Sequence, residues 1–79
     1  MIGIAQFPHM AMKNRQLVEE STNAGCYCCM KMIEVKTITE YTDDGKTVIC
    51  PLCNVDAIVY GPEITEDLLK KGNGFWFKR

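Results

Sequence analysis

Two Cys-x-x-Cys turns constrain this chain more than any other feature of its sequence. The first covers residues 26–29 and the second residues 50–53. Each turn can direct two thiolates towards one edge of a metal ion, and two such turns complete a tetrahedral shell of four sulfur ligands. The spacing therefore predicts a closed structural site for one Zn2+ per chain. The predicted ligands are Cys26, Cys29, Cys50 and Cys53.

The length of the chain makes such a site the expected main source of stability. A chain of 79 residues buries only about 60% of the surface that its unfolded form exposes. A structural zinc ion contributes about 10–16 kcal/mol of apparent binding free energy in small zinc peptides, and that energy is also folding free energy. We therefore expect a single zinc-binding domain over residues 1–79.

The same cysteines have alternative uses. Disulfides are typical of small secreted domains, but residues 1–8 show neither a basic segment nor a long apolar core, so a reducing cytoplasm is expected. A rubredoxin-like iron centre uses similar turns. Its usual additional glycines and aromatic core are not evident here, so zinc is favoured over iron. Cys28 could replace Cys26 or Cys29 as a ligand, but its favoured interpretation is a bystander thiol.

The charge of the chain limits the classes of partner. The formal net charge is −1 and the pI is 5.7. Four thiolates on one zinc ion would bring the net charge to about −3. Because nucleic-acid affinity comes largely from clustered Lys and Arg, a broad phosphate-binding face is not indicated. No apolar run approaches the roughly 18 residues of a membrane span, so no membrane association is expected.

The residues before the first turn favour a helix. Residues 9–21 contain no Gly or Pro and are rich in helix formers, which predicts about three helical turns. Met10, Leu17 and Val18 follow helical spacing and are predicted to pack on the zinc core. The predicted exposed residues are Asn14, Arg15, Glu19 and Glu20. Asn and Gly tolerate the left-handed conformation that commonly ends a helix, so residues 21–25 are predicted to end it. Tyr27, within the first turn, is expected on the rim.

Residues 25–60 are predicted to form a zinc ribbon around a β-hairpin. Residues 32–41 alternate apolar and polar side chains, as in a half-buried strand. Residues 43–46 form an Asp-Gly hairpin turn, and residues 47–49 return as the partner strand that delivers Cys50. Residues 54–60 admit a third strand, as in a zinc ribbon, or one helical turn, as in a treble clef, and their β-prone composition favours the strand. The predicted fold class is α+β.

The C-terminal residues 65–79 combine a short helix with an aromatic tail. Thr65 is the predicted N-cap of a helix from about Glu66 to Lys71, and residues 72–74 are predicted to interrupt it. The tail can simply close the core against the N-terminal helix. Alternatively it binds a protein partner, where Trp and Arg are enriched, or stacks the bases of single-stranded nucleic acid. The candidate partner-binding residues are Phe75, Trp76, Phe77, Lys78 and Arg79.

Several short motifs follow one another along the chain. They are an Asn-Arg pair, an Ala-Gly-Cys-x-x-Cys turn, an acidic Asp-Gly hairpin, a Cys-Pro-x-Cys turn followed by Asp, and a Trp-Phe pair. They occupy residues 14–15, 24–29, 43–45, 50–53 with Asp56, and 76–77. In these motifs the sequence resembles a group of small, largely uncharacterised bacterial and phage-encoded zinc-ribbon-like proteins. The resemblance implies the same four ligands, leaves Cys28 as an extra thiol and brings no established activity. Asn54 stands where such turns usually have Gly, and Asn is the next-best residue for positive φ.

The sequence favours a non-enzymatic function. A zinc ion with four thiolates keeps no open position for water, so His9 is better explained as a helix-start or surface residue. The acidic pairs along the chain are explained as solvated faces, a turn and a helix N-terminus rather than catalytic carboxylates. We expect a structural zinc module that binds another protein, which would be a host factor if the chain is phage-encoded. The alternative is a zinc ribbon that binds single-stranded nucleic acid.

Overall fold

The computed structural model describes residues 3–77 as a small α+β assembly. These residues form five short strands, three α-helices and two 3-10 turns, Ile4–Gln6 and Val35–Thr37. In chain order the main elements are α1 (Phe7–Met10), α2 (Arg15–Glu19), β1 (Ala24–Cys26), β2 (Lys31–Ile33), β3 (Tyr41–Thr42), β4 (Thr47–Val48), β5 (Ile58–Tyr60) and α3 (Glu66–Trp76).

A three-stranded antiparallel sheet forms the centre of the fold. Its strand order is β2-β1-β5, so β1 lies in the middle, with Cys26 opposite Lys31 on one side and Ile58 on the other. Gly25 in this central strand lies against Leu69 of α3, and a Cβ at position 25 would come within 2.6 Å of the leucine side chain. The absence of a side chain at position 25 therefore lets α3 lie directly on the sheet.

The predicted hairpin is present, but its first strand is much shorter than expected. Strands β3 and β4 pair as an antiparallel hairpin around the acidic turn, in which Gly45 has φ +83° and Asp43 and Asp44 have φ of +56° and +57°. The prediction of one strand over residues 32–41 is wrong. The Thr37 hydroxyl donates to the Glu34 carbonyl (2.6 Å) and closes the second 3-10 turn between β2 and β3. The strand favoured after Cys53 is confirmed as β5, which begins at Ile58.

The single N-terminal helix predicted over residues 9–21 is also wrong. The chain forms α1, leaves the helical conformation at Lys13 (φ +50°) and starts again as α2. The reason is tertiary. The Lys13 N–H donates to the Thr47 hydroxyl (2.8 Å), and the Arg15 N–H donates to the Lys46 carbonyl (2.9 Å). These two bonds hold the segment between the helices against the β3–β4 hairpin and replace bonds that a continuous helix would make internally.

Because of this break, the exposure of two side chains differs from the prediction. Met10 and Val18 are buried as expected, but Leu17 is 48% exposed. Asn14, predicted to be exposed, is fully buried and bridges the two sheets. Its Nδ2 donates to the Ile58 carbonyl (2.8 Å) and its Oδ1 accepts from the Val48 N–H (3.1 Å). A buried amide with both ends bonded fixes the hairpin relative to the central sheet.

Helix α3 begins as predicted and runs further than predicted. The Thr65 hydroxyl accepts from the Leu68 N–H (3.2 Å) as an N-cap. The expected interruption over residues 72–74 is wrong, because this segment remains helical up to Trp76. Gly72 is buried against the ring of Phe7, which a Cβ at that position would overlap. This glycine therefore serves close packing within the helix instead of ending it.

Candidate metal centre

The structure brings the four predicted thiols into one cluster. The Sγ atoms of the four cysteines all lie within 4.8 Å of one another. Across the two turns, Cys26 and Cys53 are separated by 3.5 Å between sulfur atoms, and Cys29 and Cys50 by 3.7 Å. These separations are far longer than a disulfide bond, and all five cysteines are free thiols. Four converging sulfur atoms form a donor set that can hold a metal ion. The members of the cluster are Cys26, Cys29, Cys50 and Cys53.

The first turn is built on the loop between β1 and β2. Strand β1 ends at Cys26, whose carbonyl accepts from the Met30 N–H (2.8 Å). Met30 adopts φ +63°, which reverses the chain into β2. A left-handed conformation is unusual for methionine, so the turn is held against the intrinsic preference of this residue. The sequence contains no Gly or Asn that would have indicated such a conformation here.

The second turn repeats the geometry of the first. The Asn54 N–H donates to the Cys50 carbonyl (2.9 Å), and Asn54 adopts φ +63°. This positive φ is the role that the sequence indicated for Asn54. The Cys50 N–H donates to the Val55 carbonyl (3.0 Å), which ties the turn to the segment leading into β5. In both turns, the residue directly after the second cysteine therefore has the same left-handed backbone conformation.

Backbone N–H groups point at the sulfur atoms from within each turn. The N–H groups of Cys28 and Cys29 donate to the Cys26 thiol. In the second turn the Leu52 N–H lies 3.4 Å from the Cys50 sulfur, and the Val55 N–H donates to the Cys53 sulfur. Such donors stabilise thiolates more than neutral thiols. These donors offset part of the free energy that burial adds to forming a thiolate in either turn.

The metal-free thiols differ in their proton affinity. Burial is the largest cause that raises the pKa of Cys26 well above its ordinary value, and burial also raises the pKa of Cys29 to about 11. Burial acts in the same direction on Cys53, but hydrogen bonds from the Val55 N–H and from neighbouring thiols outweigh it and lower its pKa. A bound cation would reverse the preference of the first two, since a metal-ligating thiol is deprotonated.

The remaining chemical candidates lie outside this cluster. His9 is exposed on α1 and does not belong to the metal-ligating group found among residues 3–77. Cys28 is half-buried and also lies outside the group of four. Burial is the largest cause that raises the pKa of Cys28 above its ordinary value. The carbonyl of Cys28 is held by the side chain of Asn73 on α3.

Asn73 contacts the first cysteine turn, which the sequence gave little reason to expect. Its Nδ2 donates to the carbonyls of Tyr27 and Cys28, at 3.0 Å each. It therefore satisfies backbone groups of the first turn from the neighbouring helix. A lone Asn between two glycines indicates a helix end from sequence, and only the tertiary structure shows that its side chain reaches the metal turn.

The aromatic tail is partly core and partly surface. Trp76 is half-buried, and its Nε1 donates to the Ile4 carbonyl (2.8 Å). Tyr27, predicted on the rim, is buried between Phe7 and Phe77, with ring centroids at 5.1 and 5.3 Å. Phe75 and Phe77 are 58% and 46% exposed. Lys78 and Arg79, the other predicted partner-binding residues, lie outside the described residues.

Comparisons with known proteins leave the site to be interpreted from its own geometry. No protein-family model, curated protein or solved structure matches the chain. Within residues 3–77 no helix is both long enough and apolar enough to cross a membrane.

Proposed function

We propose that the four-cysteine cluster binds one Zn2+ as a structural ion and that this ion holds the domain together. The observation that carries the proposal is the convergence of four sulfur atoms within 4.8 Å from two turns of the same backbone geometry. Thiolate sets of this kind suit zinc, and iron is the less favoured alternative. The strand β5 after the second turn supports a zinc-ribbon arrangement over a treble clef, which has a helix there.

The proposed role of the ion is stability and not chemistry. Four thiolates complete the usual tetrahedral shell of a structural zinc site and leave no position for water or substrate. The first turn lies at the end of the central strand β1 and is bonded to α3, while the second turn lies between β4 and β5. An ion that cross-links the two turns therefore joins the central sheet, the hairpin and α3. A non-enzymatic module is the function that fits this arrangement.

Elemental analysis and chelation test the zinc proposal. We expect one zinc per purified chain and cooperative unfolding when a strong chelator removes it. Cys50→Ser should lose the metal because Cys50 is a buried member of the cluster. Cys28→Ser is the matched control and should retain one zinc. A protein that stays fully folded after complete demetallation would contradict the proposal.

We further propose that the module binds another protein, which would be a host factor if the chain is phage-encoded. Exposed Phe75 and Phe77 on a small acidic scaffold support this function, since aromatic side chains are enriched at protein interfaces. Single-stranded nucleic acid is the second candidate, because Lys70 and Lys71 precede the same aromatic residues and exposed rings can stack bases.

Affinity capture separates these two candidates. Immobilised zinc-loaded protein should retain a partner from bacterial lysate after nuclease treatment, and Phe75→Ala should retain less of it. Capture of nucleic acid that nuclease abolishes would favour the second candidate. Leu52→Ala, which alters an exposed apolar residue on the second cysteine turn, is the matched control and should retain as much partner as the wild type. The absence of any partner enriched over bare resin would count against both.

A further inference from the structure

The buried side chain of Asn73 binds two main-chain carbonyls of the first cysteine turn. It is 7% exposed, and its Nδ2 donates to the carbonyls of Tyr27 and Cys28, at 3.0 Å each. The amide nitrogen of asparagine carries two hydrogen atoms, so it can serve both carbonyls at once. A buried amide that satisfies two acceptors restrains them to one orientation. Both carbonyls are therefore held towards α3.

The position of α3 is itself fixed by close packing. Leu69 of this helix lies against Gly25 in β1, the strand that ends at Cys26. Gly72, directly before Asn73, lies against the ring of Phe7. A helix packed in this way cannot shift without opening both contacts. The helix therefore presents the side chain at position 73 to the turn in one defined place.

The two peptide groups that Asn73 holds are the same two that donate to the Cys26 sulfur. The Tyr27 carbonyl and the Cys28 N–H belong to one peptide group, and the Cys28 carbonyl and the Cys29 N–H belong to the next. Both peptide bonds are trans, so in each group the carbonyl and the N–H point in opposite directions. The N–H groups of Cys28 and Cys29 donate to the Cys26 thiol. Holding the carbonyls towards α3 therefore aims both N–H groups at the sulfur.

Hydrogen bonds at the two ends of a peptide group strengthen each other. A donor on the carbonyl oxygen polarises the amide, which makes its N–H a stronger donor. The effect is larger when the acceptor is charged, as a metal-bound thiolate is. Hydrogen bonds to ligating sulfur atoms also change the electronic properties of a metal centre. Asn73 can therefore act on the Cys26 sulfur through the backbone of the turn.

We propose that Asn73 is a positioning residue of the metal centre, which aims the Cys28 and Cys29 N–H groups at the Cys26 sulfur and stabilises the negative charge on that ligand. The proposal rests on the zinc-binding function proposed above and gives α3 a part in it. The four cysteines supply the ligands, and the asparagine sets the electron density on one of them.

Replacement of zinc by Co2+ makes the metal–sulfur bonds visible as a thiolate-to-metal charge-transfer band. N–H donors lower the energy of the sulfur electrons, so their loss should move this band to longer wavelength. We expect Asn73→Ala to keep one metal per chain, to show this shift, and to bind zinc about 10–100-fold more weakly in competition with a chelator. Because Ala is a better helix former than Asn, helix propensity does not account for such a loss.

Asn14→Ala is the matched control. Asn14 is also a buried amide with two main-chain partners, but these are the Ile58 carbonyl and the Val48 N–H, outside both cysteine turns. Its loss should also weaken the apparent zinc affinity, because metal binding is coupled to folding. It should leave the charge-transfer band in place. The position of the band therefore separates positioning of the N–H donors from a general loss of stability.

An unchanged band in Asn73→Ala, or an equal shift in Asn14→Ala, would overturn the proposal. A second measurement needs no variant. In the zinc-loaded wild type, the amide hydrogens of Cys28 and Cys29 should exchange with solvent more slowly than in an unstructured peptide, and unprotected exchange at both would equally refute the arrangement. A wild-type chain that binds no zinc would refute the metal centre itself, whereas an unchanged band in a cobalt-loaded chain refutes only the role of Asn73.

Discussion

Single residues in this protein hold conformations that the rest of the structure imposes on them. Met30 and Asn54 occupy equivalent positions after the two cysteine turns, with the same φ of +63°. Asparagine is one of the few residues that adopt this conformation readily, whereas methionine is not. The conformation at Met30 therefore costs free energy, which the other interactions of the cysteine turn must offset.

A Gly/Ala comparison at position 30 measures this cost. Because Ala carries a Cβ and Gly does not, Met30→Gly should be more stable than Met30→Ala by about 1 kcal/mol in free energy of unfolding. At Glu34, which has an ordinary φ of −79°, the order should reverse by about 0.5–1 kcal/mol. Urea unfolding at fixed free zinc gives both differences. The same order at both positions would show that the turn at Met30 is relaxed.

Asn14 is the residue that joins the two sheets, and its removal should be costly. Asn14→Ala leaves the Ile58 carbonyl and the Val48 N–H without their buried partner. Each such group costs about 1–3 kcal/mol, so we expect the zinc-loaded protein to lose about 2–6 kcal/mol in urea unfolding. Gln16→Ala in the neighbouring helix removes only an exposed bond to Glu20 and should cost less than about 0.5 kcal/mol. Equal effects of the two substitutions would refute the bridging role.

Among the helices, strands and turns, those determined by neighbouring residues were predictable from the sequence, and those determined by distant contacts were not. Signals contained within a few residues predicted the Thr65 N-cap, the acidic hairpin turn, the strand after Cys53 and both cysteine turns. The break near Lys13 and the continuation of α3 past Gly72 were not predictable in this way. The first depends on bonds to the hairpin and the second on a contact with Phe7 at the other end of the chain. Both are long-range contacts that override local propensity.

Two glycines of α3 offer a direct test of this interpretation. Gly72→Ala would drive a Cβ into the ring of Phe7 and should destabilise the protein by about 1–3 kcal/mol. Gly74→Ala meets nothing within 4 Å and should stabilise it by about 0.5–1 kcal/mol through helix propensity. Thermal unfolding of the two zinc-loaded variants makes the comparison. If both substitutions stabilise, α3 does not pack on Phe7 as described.

At the scale of the whole molecule, the proposed metal would determine how stability depends on pH. In the metal-free cluster, the pKa values of Cys26 and Cys29 are raised in the folded protein, so folding is favoured while these two thiols are protonated. This stabilisation is complete below the ordinary thiol pKa of 9.0 and is lost as pH rises above that value, through about 11 for Cys29. Zinc reverses the sign, because the bound thiols must be deprotonated. The zinc-loaded protein should therefore lose stability as pH falls.

The proton count gives this dependence a magnitude. At neutral pH at least Cys26 and Cys29 carry protons without metal, so zinc binding releases two or more, and the apparent affinity should fall about 100-fold or more for each pH unit of acidification. Competition with a chelator of known affinity at three pH values between about 6 and 8 measures the slope. Cys28→Ser should give the same slope, since Cys28 lies outside the four-sulfur group. A slope below about 100-fold per unit would mean that the four thiols do not bind the ion together, because fewer than two protons would then be displaced.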